Sequence, residues 1–234
     1  HHTIYGNKED SYTLHLRNDL EFSRLINLAV PGACPSTINR ILLQYLNNPV
    51  HGMPDFVFIQ WPNANRNEYF IDEQDEKEDL IYYKHNEKLI SFNWTDDNEP
   101  NISNGTWAST TRGIDKSLIN AHERLYVNKS QQLINLYKEV GIAEQYLDNL
   151  KIPYAYVESD YWDGKGLLAN SHHDMPVYKY AQHLCHKQFL IPGVGIQTNG
   201  PTYANDDYED GHPGPISHRR FADAIIPKLR ELIQ

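Results

Sequence analysis

The run FVFIQW, residues 56 to 61, is an apolar segment of strand length that follows Pro54 and Asp55. A strand with one solvated face alternates apolar and polar residues, whereas a strand covered on both faces is apolar along its length. The run is therefore typical of a buried strand in a parallel sheet. Because such a sheet needs helices on both faces, this segment constrains the fold more than any other part of the chain.

Helical and strand-like segments alternate along the rest of the chain. Apolar residues at helical spacing predict helices over residues 9–20, 35–46, 114–150 (with a break at Gly141) and 218–233. Short apolar runs predict strands at residues 25–30, 55–61, 153–158 and 188–192. This alternation predicts an α/β fold, a three-layer α/β/α flavodoxin-like domain with a mainly parallel sheet that spans residues 1–234. An acidic, polar insertion is expected at about residues 72–106.

Composition limits the classes of partner. The chain has 234 residues, a net charge of −10 and 40% hydrophobic residues, which is typical of a soluble globular protein. The negative charge argues against a nucleic-acid partner, and no apolar run reaches the length of a membrane span. We expect free or buried thiols at Cys34 and Cys185 rather than a disulfide. No metal site is expected, because the spacing of His172, His183, Cys185 and His186 matches no zinc pattern.

The turn Asp210-Gly211-His212-Pro213-Gly214 leads directly into the last amphipathic helix. In a nucleophilic hydrolase a histidine acts as general base, and a carboxylate holds its other ring nitrogen in the right tautomer. Asp210 and His212 can supply these two roles from one loop. The alternative is an ordinary surface turn, since Asp, Gly and Pro are common turn residues.

Two further loops follow predicted strands, PGACPST after residues 25–30 and PNANRNE after residues 56–61. In open α/β sheets, ligands bind beyond the carboxyl ends of the strands. These two loops and the DGHPG turn, in this order, resemble conserved blocks of the SGNH/GDSL hydrolase family. The resemblance covers about residues 2 to 230 and implies a serine-type ester hydrolase.

The resemblance assigns roles residue by residue. NLAVPGA is similar to the second block, which implies that the Gly32 N–H binds the oxyanion. PDFVFIQWPNANRNEYF stands where the third block has Gly-x-Asn; the glycine is absent, and Asn63 is the best match for the oxyanion asparagine, with Asn65 as the second choice. DGHPGPISHRRFADAI resembles the last block, which implies that Asp210 is the acid and His212 the base.

The nucleophile is the main departure from the family pattern. The family's serine ends the first strand in a block like Gly-x-Ser-x-x-x-Gly, and HHTIYG resembles the tail of a Ser-His-Thr-x-x-Gly version. We therefore expect the serine at or just before His1. Ser11 is the less favoured alternative, because only 13 residues separate it from Leu25, too few for a turn, a helix and a connection, and because it is predicted to lie inside a helix. A true loss of the serine is the third alternative.

The implied substrate is a small-molecule or carbohydrate acyl ester, such as an O-acetyl sugar, and the implied reaction needs no cofactor. Trp61, Tyr69 and Trp107 could line a sugar-binding surface, or they could pack in the core. The QW-x(4)-R-x-E form of the third block resembles phage-encoded and environmental members, which implies a viral source and a location on a virion or in a host cytoplasm. A homo-oligomer or a virion assembly stays open. The alternative function is a catalytically inactive SGNH-like structural or carbohydrate-binding module.

Overall fold

The computed structural model describes residues 11–29, 33–49, 52–62, 64, 68–70, 94–95, 107–109, 129–158, 182–184 and 214–233. The strand predicted at residues 188–192, the first part of the helix predicted at 114–150 and most of the insertion at 72–106 lie outside these ranges. The described elements, in chain order, are α1 Tyr12–Asp19, β1 Ile26–Asn27, α2 Pro35–Asn47, β2 Val57–Trp61, β3 Glu68–Phe70, β4 Trp94–Thr95, β5 Trp107–Ser109, α3 Lys129–Leu150, β6 Tyr154–Glu158, a 3₁₀ turn Gln182–Leu184, and α4 Pro215–Ile233.

β2 and β6 form a parallel pair, in register from Val57 opposite Tyr154 to Trp61 opposite Glu158. Both strands were predicted from their apolar runs, and both predictions are confirmed. Parallel neighbours require a long crossover, and α3 lies in the segment between them. The described part of the chain therefore has the mixed α/β character that the sequence predicts.

Successive side chains of these two strands enter two different hydrophobic clusters. One cluster joins alternate strand residues to α2 and α3 through Ile59, Trp61, Tyr154, Tyr156, Leu42, Tyr45, Leu136, Val140 and Leu147. The other joins the intervening strand residues to α1 and α4 through Phe58, Ala155, Val157, Leu16, Phe221, Ile225 and Leu229. Because side chains alternate between the two faces of a strand, helices cover both faces of the parallel pair.

The predicted helix break at Gly141 is wrong, because α3 runs without interruption from Lys129 to Leu150. Glycine costs a helix interior about 1 kcal/mol relative to alanine. Val140 and Leu147, on either side of Gly141, are fully buried in the cluster with α2. Burial of this face outweighs the local propensity of one glycine.

The segment at residues 25–30 differs from its predicted role in a parallel sheet. Its described strand, β1, has two residues and pairs antiparallel with β4, Ile26 opposite Thr95 and Asn27 opposite Trp94. A two-residue strand carries little register information of its own, so its partner is set by tertiary packing. β4 falls within residues 72–106, where the sequence predicts an insertion, and it lies beside β1. β3 and β5 form a second antiparallel ladder.

Two helices end in the same hydrogen-bonded motif, with one residue in the left-handed region. After α1, Glu21 has φ 58°, and after α3, Lys151 has φ 56°. At the end of α3 the N–H of Ile152 donates to the carbonyl of Leu147, and the N–H of Lys151 donates to that of Asp148. These are the two bonds of a Schellman cap, which satisfies carbonyls that the helix end leaves without partners.

Candidate functional site

The predicted catalytic and oxyanion residues, Asp210, His212, Gly32 and Asn63, lie outside the described residues, as does His1. Their roles stay predictions. The described chain contains Ser11, the less favoured nucleophile, and the elements that flank the three predicted loops. Gly214, the last residue of the DGHPG turn, is described, and Gln60 and Trp61 end the strand that precedes the PNANRNE loop.

Ser11 is the N-cap of α1, one position before the helix, and the prediction that it lies inside the helix is wrong. Its hydroxyl lies 2.7 Å from the Thr13 hydroxyl and accepts a hydrogen bond from the Thr13 N–H at 3.4 Å. Serine is among the preferred N-cap residues, because its side-chain oxygen satisfies an N–H that has no partner within the helix. The described contacts thus give Ser11 a capping role.

Three elements meet around Tyr12, the first residue of α1. The Tyr12 hydroxyl donates to Oε1 of Gln60 at 2.8 Å, close to the carboxyl end of β2. The Tyr12 backbone N–H donates to Nδ1 of His218 at 3.2 Å, in the first turns of α4. The rings of Tyr12 and His218 are stacked, with centroids 5.8 Å apart and an angle of 14° between their planes. We call Tyr12, Gln60 and His218 the Tyr12 cluster.

Apolar rings surround the cluster. The ring of Tyr12 meets that of Phe221 edge-to-face at 4.9 Å and that of Phe58 at 6.4 Å. Burial among these groups raises the pKa of the Tyr12 hydroxyl well above its usual range. Tyr12 is therefore a neutral hydrogen-bond donor at physiological pH.

The hydrogen bond from Tyr12 also defines the state of His218. An imidazole nitrogen that accepts an N–H carries a lone pair, so Nδ1 of His218 is unprotonated in this arrangement. Nδ1 of His218 is thus the acceptor that the start of α1 uses.

A charged contact joins the C-terminal end of α1 to α4. Nη2 of Arg219 lies 2.7 Å from a carboxylate oxygen of Asp19 and also hydrogen-bonds Asp223, one turn along α4. The hydrogen bond to Asp223, followed by the one to Asp19, raises the pKa of the Arg219 guanidinium. Arg230 donates to the backbone carbonyl of Asp19 at 2.9 Å. Together with the bond from Tyr12 to His218, these contacts join the two helices at both ends of α1.

The sequence did not reveal the Tyr12 cluster. Tyr12 and His218 were read only as parts of two amphipathic helices, and 206 residues separate them. The available signal was weak: a polar Gln60 in an otherwise apolar strand needs a hydrogen-bond partner if it is shielded. The sequence thus marks Gln60 as a residue in need of a partner but does not specify the partner.

Other predicted features have mixed outcomes. Cys34 is a buried free thiol, as predicted, with its sulfur 3.0 Å from the Thr37 hydroxyl and 3.1 Å from that of Ser36. Trp61 is fully buried, so it belongs to the core and does not line a sugar-binding surface. The side chains of Tyr69 and Trp107 lie outside the description. Among the described residues, no group of three or more His, Cys, Asp or Glu side chains could hold a metal ion.

No family model matches the chain, and comparison with curated proteins and with solved structures also found no match. None of the helices in the described ranges is both long and apolar enough to cross a membrane.

Proposed function

We propose that the protein is a serine-type ester hydrolase of the SGNH/GDSL kind, acting on acyl esters such as the O-acetyl groups of carbohydrates. The observation that carries the proposal is the Tyr12 cluster. It joins the start of α1, the carboxyl end of β2 and the first turns of α4. The family resemblance assigns the acid and base to the chain just before α4 and the oxyanion asparagine to the chain just after β2, whereas the nucleophile is expected eleven or more positions before Tyr12.

The distances along the chain are short. His212 and Asp210 precede Gly214, at the start of α4, by two and four positions, and Asn63 follows Gln60 by three. Ligands of open α/β sheets bind beyond the carboxyl ends of the strands, which is the end of β2 where Gln60 lies. The meeting of these segments supports a common site for the proposed base, acid and oxyanion asparagine.

The arrangement of the helices supports the finer fold that we propose, a three-layer flavodoxin-like domain. In a sheet of strand order 2-1-3-4-5, right-handed crossovers put the first and last helices on one face and the intermediate helices on the other. Here α1 and α4 share one cluster, and α2 and α3 share the other. The parallel β2 and β6 fit neighbouring strands of such a sheet.

In the proposed mechanism, Asp210 orients His212, and His212 removes the proton of the serine expected at or just before His1. The alkoxide attacks the ester carbonyl, and the Gly32 N–H, the Asn63 amide and the serine N–H stabilise the oxyanion. His212 then returns the proton to the departing alcohol. Water, activated by the same histidine, hydrolyses the acyl-enzyme.

The test uses the protein expressed from its gene together with any residues encoded before His1, and p-nitrophenyl acetate as the substrate. We expect His212→Ala to reduce kcat/KM by about 10³-fold or more, since the general base is lost. His183→Ala is the matched control, because His183 is exposed on the 3₁₀ turn, and its activity should equal that of the unmodified protein.

Ser11→Ala separates the two candidate nucleophiles. Retained activity supports a serine at or just before His1, whereas loss of activity both in Ser11→Ala and in Ser11→Asp, which keeps an N-cap, identifies Ser11 as the nucleophile. An unmodified protein that hydrolyses no acyl ester contradicts the proposal and favours the inactive structural or carbohydrate-binding module.

A further inference from the structure

We infer that Tyr12, Gln60 and His218 are positioning residues that fix the loops of the proposed active site relative to one another. The inference rests on the proposed function. None of the three residues is assigned a chemical step. Gln60 lies beside the end of β2, which leads into the loop of Asn63, and His218 lies in the first turn of α4, which follows the turn of Asp210 and His212. Tyr12 begins α1 and bonds both of them.

The need for such residues follows from the geometry of the reaction. The proposed base, nucleophile and oxyanion donors come from separate segments of the chain, and a misplacement of about 1 Å can cost about 10²-fold in rate. The two hydrogen bonds of Tyr12 connect α1 to β2 on one side and to α4 on the other. Together they define the position of the start of α1 with respect to both.

Apolar packing alone would not fix the position of the start of α1 relative to β2 and α4. Phe221 and Phe58 hold the Tyr12 ring against α4 and β2, but these ring contacts do not fix the Gln60 amide. The Tyr12 hydroxyl adds a directional bond that a phenylalanine, with the same ring, could not make. A polar group among these rings needs its partner, so the hydroxyl favours one arrangement of Gln60 over others.

The first experiment compares two Tyr→Phe variants. Tyr12→Phe removes the bond to Gln60, and we expect kcat for p-nitrophenyl acetate to fall by roughly ten- to a hundredfold with KM almost unchanged. Tyr45→Phe is the control: Tyr45 is buried, whereas Tyr12 is partly buried, and the Tyr45 hydroxyl donates to the carbonyl of Gly52 at 2.9 Å, in the segment before β2. Equal kcat values for the two variants would overturn the inference.

The second experiment uses the hydrogen bond to His218. An asparagine places an amide oxygen near the position of Nδ1, so His218→Asn should keep the acceptor for the Tyr12 N–H and retain most of the activity. His218→Leu removes the acceptor and should lower kcat as Tyr12→Phe does. Should His218→Leu fail to fold, Tyr12→Phe still carries the test. Equal activity of folded Asn and Leu variants contradicts a positioning role.

A third measurement does not depend on activity. In protein labelled with ¹⁵N-histidine, the His212 ring signals, assigned with His212→Ala, should shift in Tyr12→Phe and stay unchanged in Tyr45→Phe. His212 signals that are identical in all three proteins overturn the inference even if the protein is an esterase. A specific shift in a protein without esterase activity supports the inference and contradicts the proposed function.

Discussion

The backbone N–H of Tyr12 donates to Nδ1 of His218 over a separation of 206 residues in the sequence. The first N–H groups of a helix have no partner within that helix, and the first turn of α1 therefore obtains one from α4. Ser11 satisfies a second N–H of the same turn, that of Thr13. The start of α1 is thus capped partly by its own sequence and partly by the far end of the chain.

Burial of the Tyr12 hydroxyl predicts an alkaline limit to stability. Its pKa is raised in the folded protein, whereas in the unfolded chain it is about 10. The folded state therefore holds this proton more tightly, so the contribution is fully present below about pH 10 and is lost as the pH rises further. Urea unfolding at about pH 9 and about pH 11 should show a smaller loss of stability in Tyr12→Phe than in the unmodified protein.

Tyr146→Phe is the control for this measurement, because its hydroxyl bonds Asn47 in an exposed position. The unfolding free energy of Tyr146→Phe should fall between these two pH values as steeply as that of the unmodified protein. Identical slopes for Tyr12→Phe and the unmodified protein would show that the hydroxyl is not shielded as described.

Local patterns were sufficient to predict several elements of the fold. The apolar runs around Ile59 and Tyr156 predicted β2 and β6, because a strand buried on both faces leaves its signature within five or six residues. The amphipathic pattern after Gly214 predicted α4 in the same way. These features depend on neighbours in the sequence, which one sequence displays directly.

The failures have a common physical cause in tertiary packing. Gly141 looked like a helix break because its propensity is local, but the helix continues since its neighbours are buried against α2. The antiparallel partner of Ile26 and the contacts of Tyr12 join residues that are far apart in the chain. No periodicity or motif in one sequence specifies such a pair.

Phe221 should be the most sensitive position on the face of α4 that packs against α1. Its side chain is fully buried, and its ring meets that of Tyr12 edge-to-face with centroids 4.9 Å apart. Phe221→Ala removes this packing and leaves a cavity, which should cost about 3–5 kcal/mol of unfolding free energy. Ile216→Ala on the same helix is the control; Ile216 is 55% exposed and should cost little. Similar losses for both variants would contradict the packing of α4 described above.

The hydrogen bond to the buried carboxylate of Glu144 predicts a measurable loss of stability when its donor is removed. Glu144 is fully buried in α3 and accepts a hydrogen bond from the Tyr156 hydroxyl of β6. Tyr156→Phe removes a donor from this carboxylate and should lower the unfolding free energy by about 1–3 kcal/mol. Tyr146→Phe should lose less, because water can replace its exposed bond to Asn47. Chemical denaturation of both variants at neutral pH checks the difference.

The contact of Arg219 with Asp19 and Asp223 should depend on salt. Arg219 is 43% exposed, so its ion pairs are partly screened by water. Arg219→Met should therefore cost about 0.5–1 kcal/mol at low ionic strength and less at about 1 M salt. Lys228→Met is the control, because Lys228 and Glu231 are both largely exposed, and its effect should be near zero. A loss in Arg219→Met that salt does not reduce would assign the contact to packing of the arginine stem.

The left-handed residue after α3 predicts a stabilising substitution. Lys151 has φ 56°, a conformation that costs an L-residue about 1–2 kcal/mol and a glycine almost nothing. Its side chain is exposed, so little packing is lost on removal. After the larger backbone entropy of glycine in the unfolded chain is deducted, Lys151→Gly should raise the unfolding free energy by roughly 0.5–1 kcal/mol.

Gly52→Ala is the converse of this substitution. Gly52 has φ 90°, and a Cβ added there would meet nothing within 4 Å, so the whole penalty comes from the backbone. Urea unfolding should show a loss of about 1–2 kcal/mol for Gly52→Ala, opposite in sign to the gain for Lys151→Gly. A gain in Gly52→Ala, or a loss in Lys151→Gly, would mean that the corresponding residue is not left-handed in the folded protein.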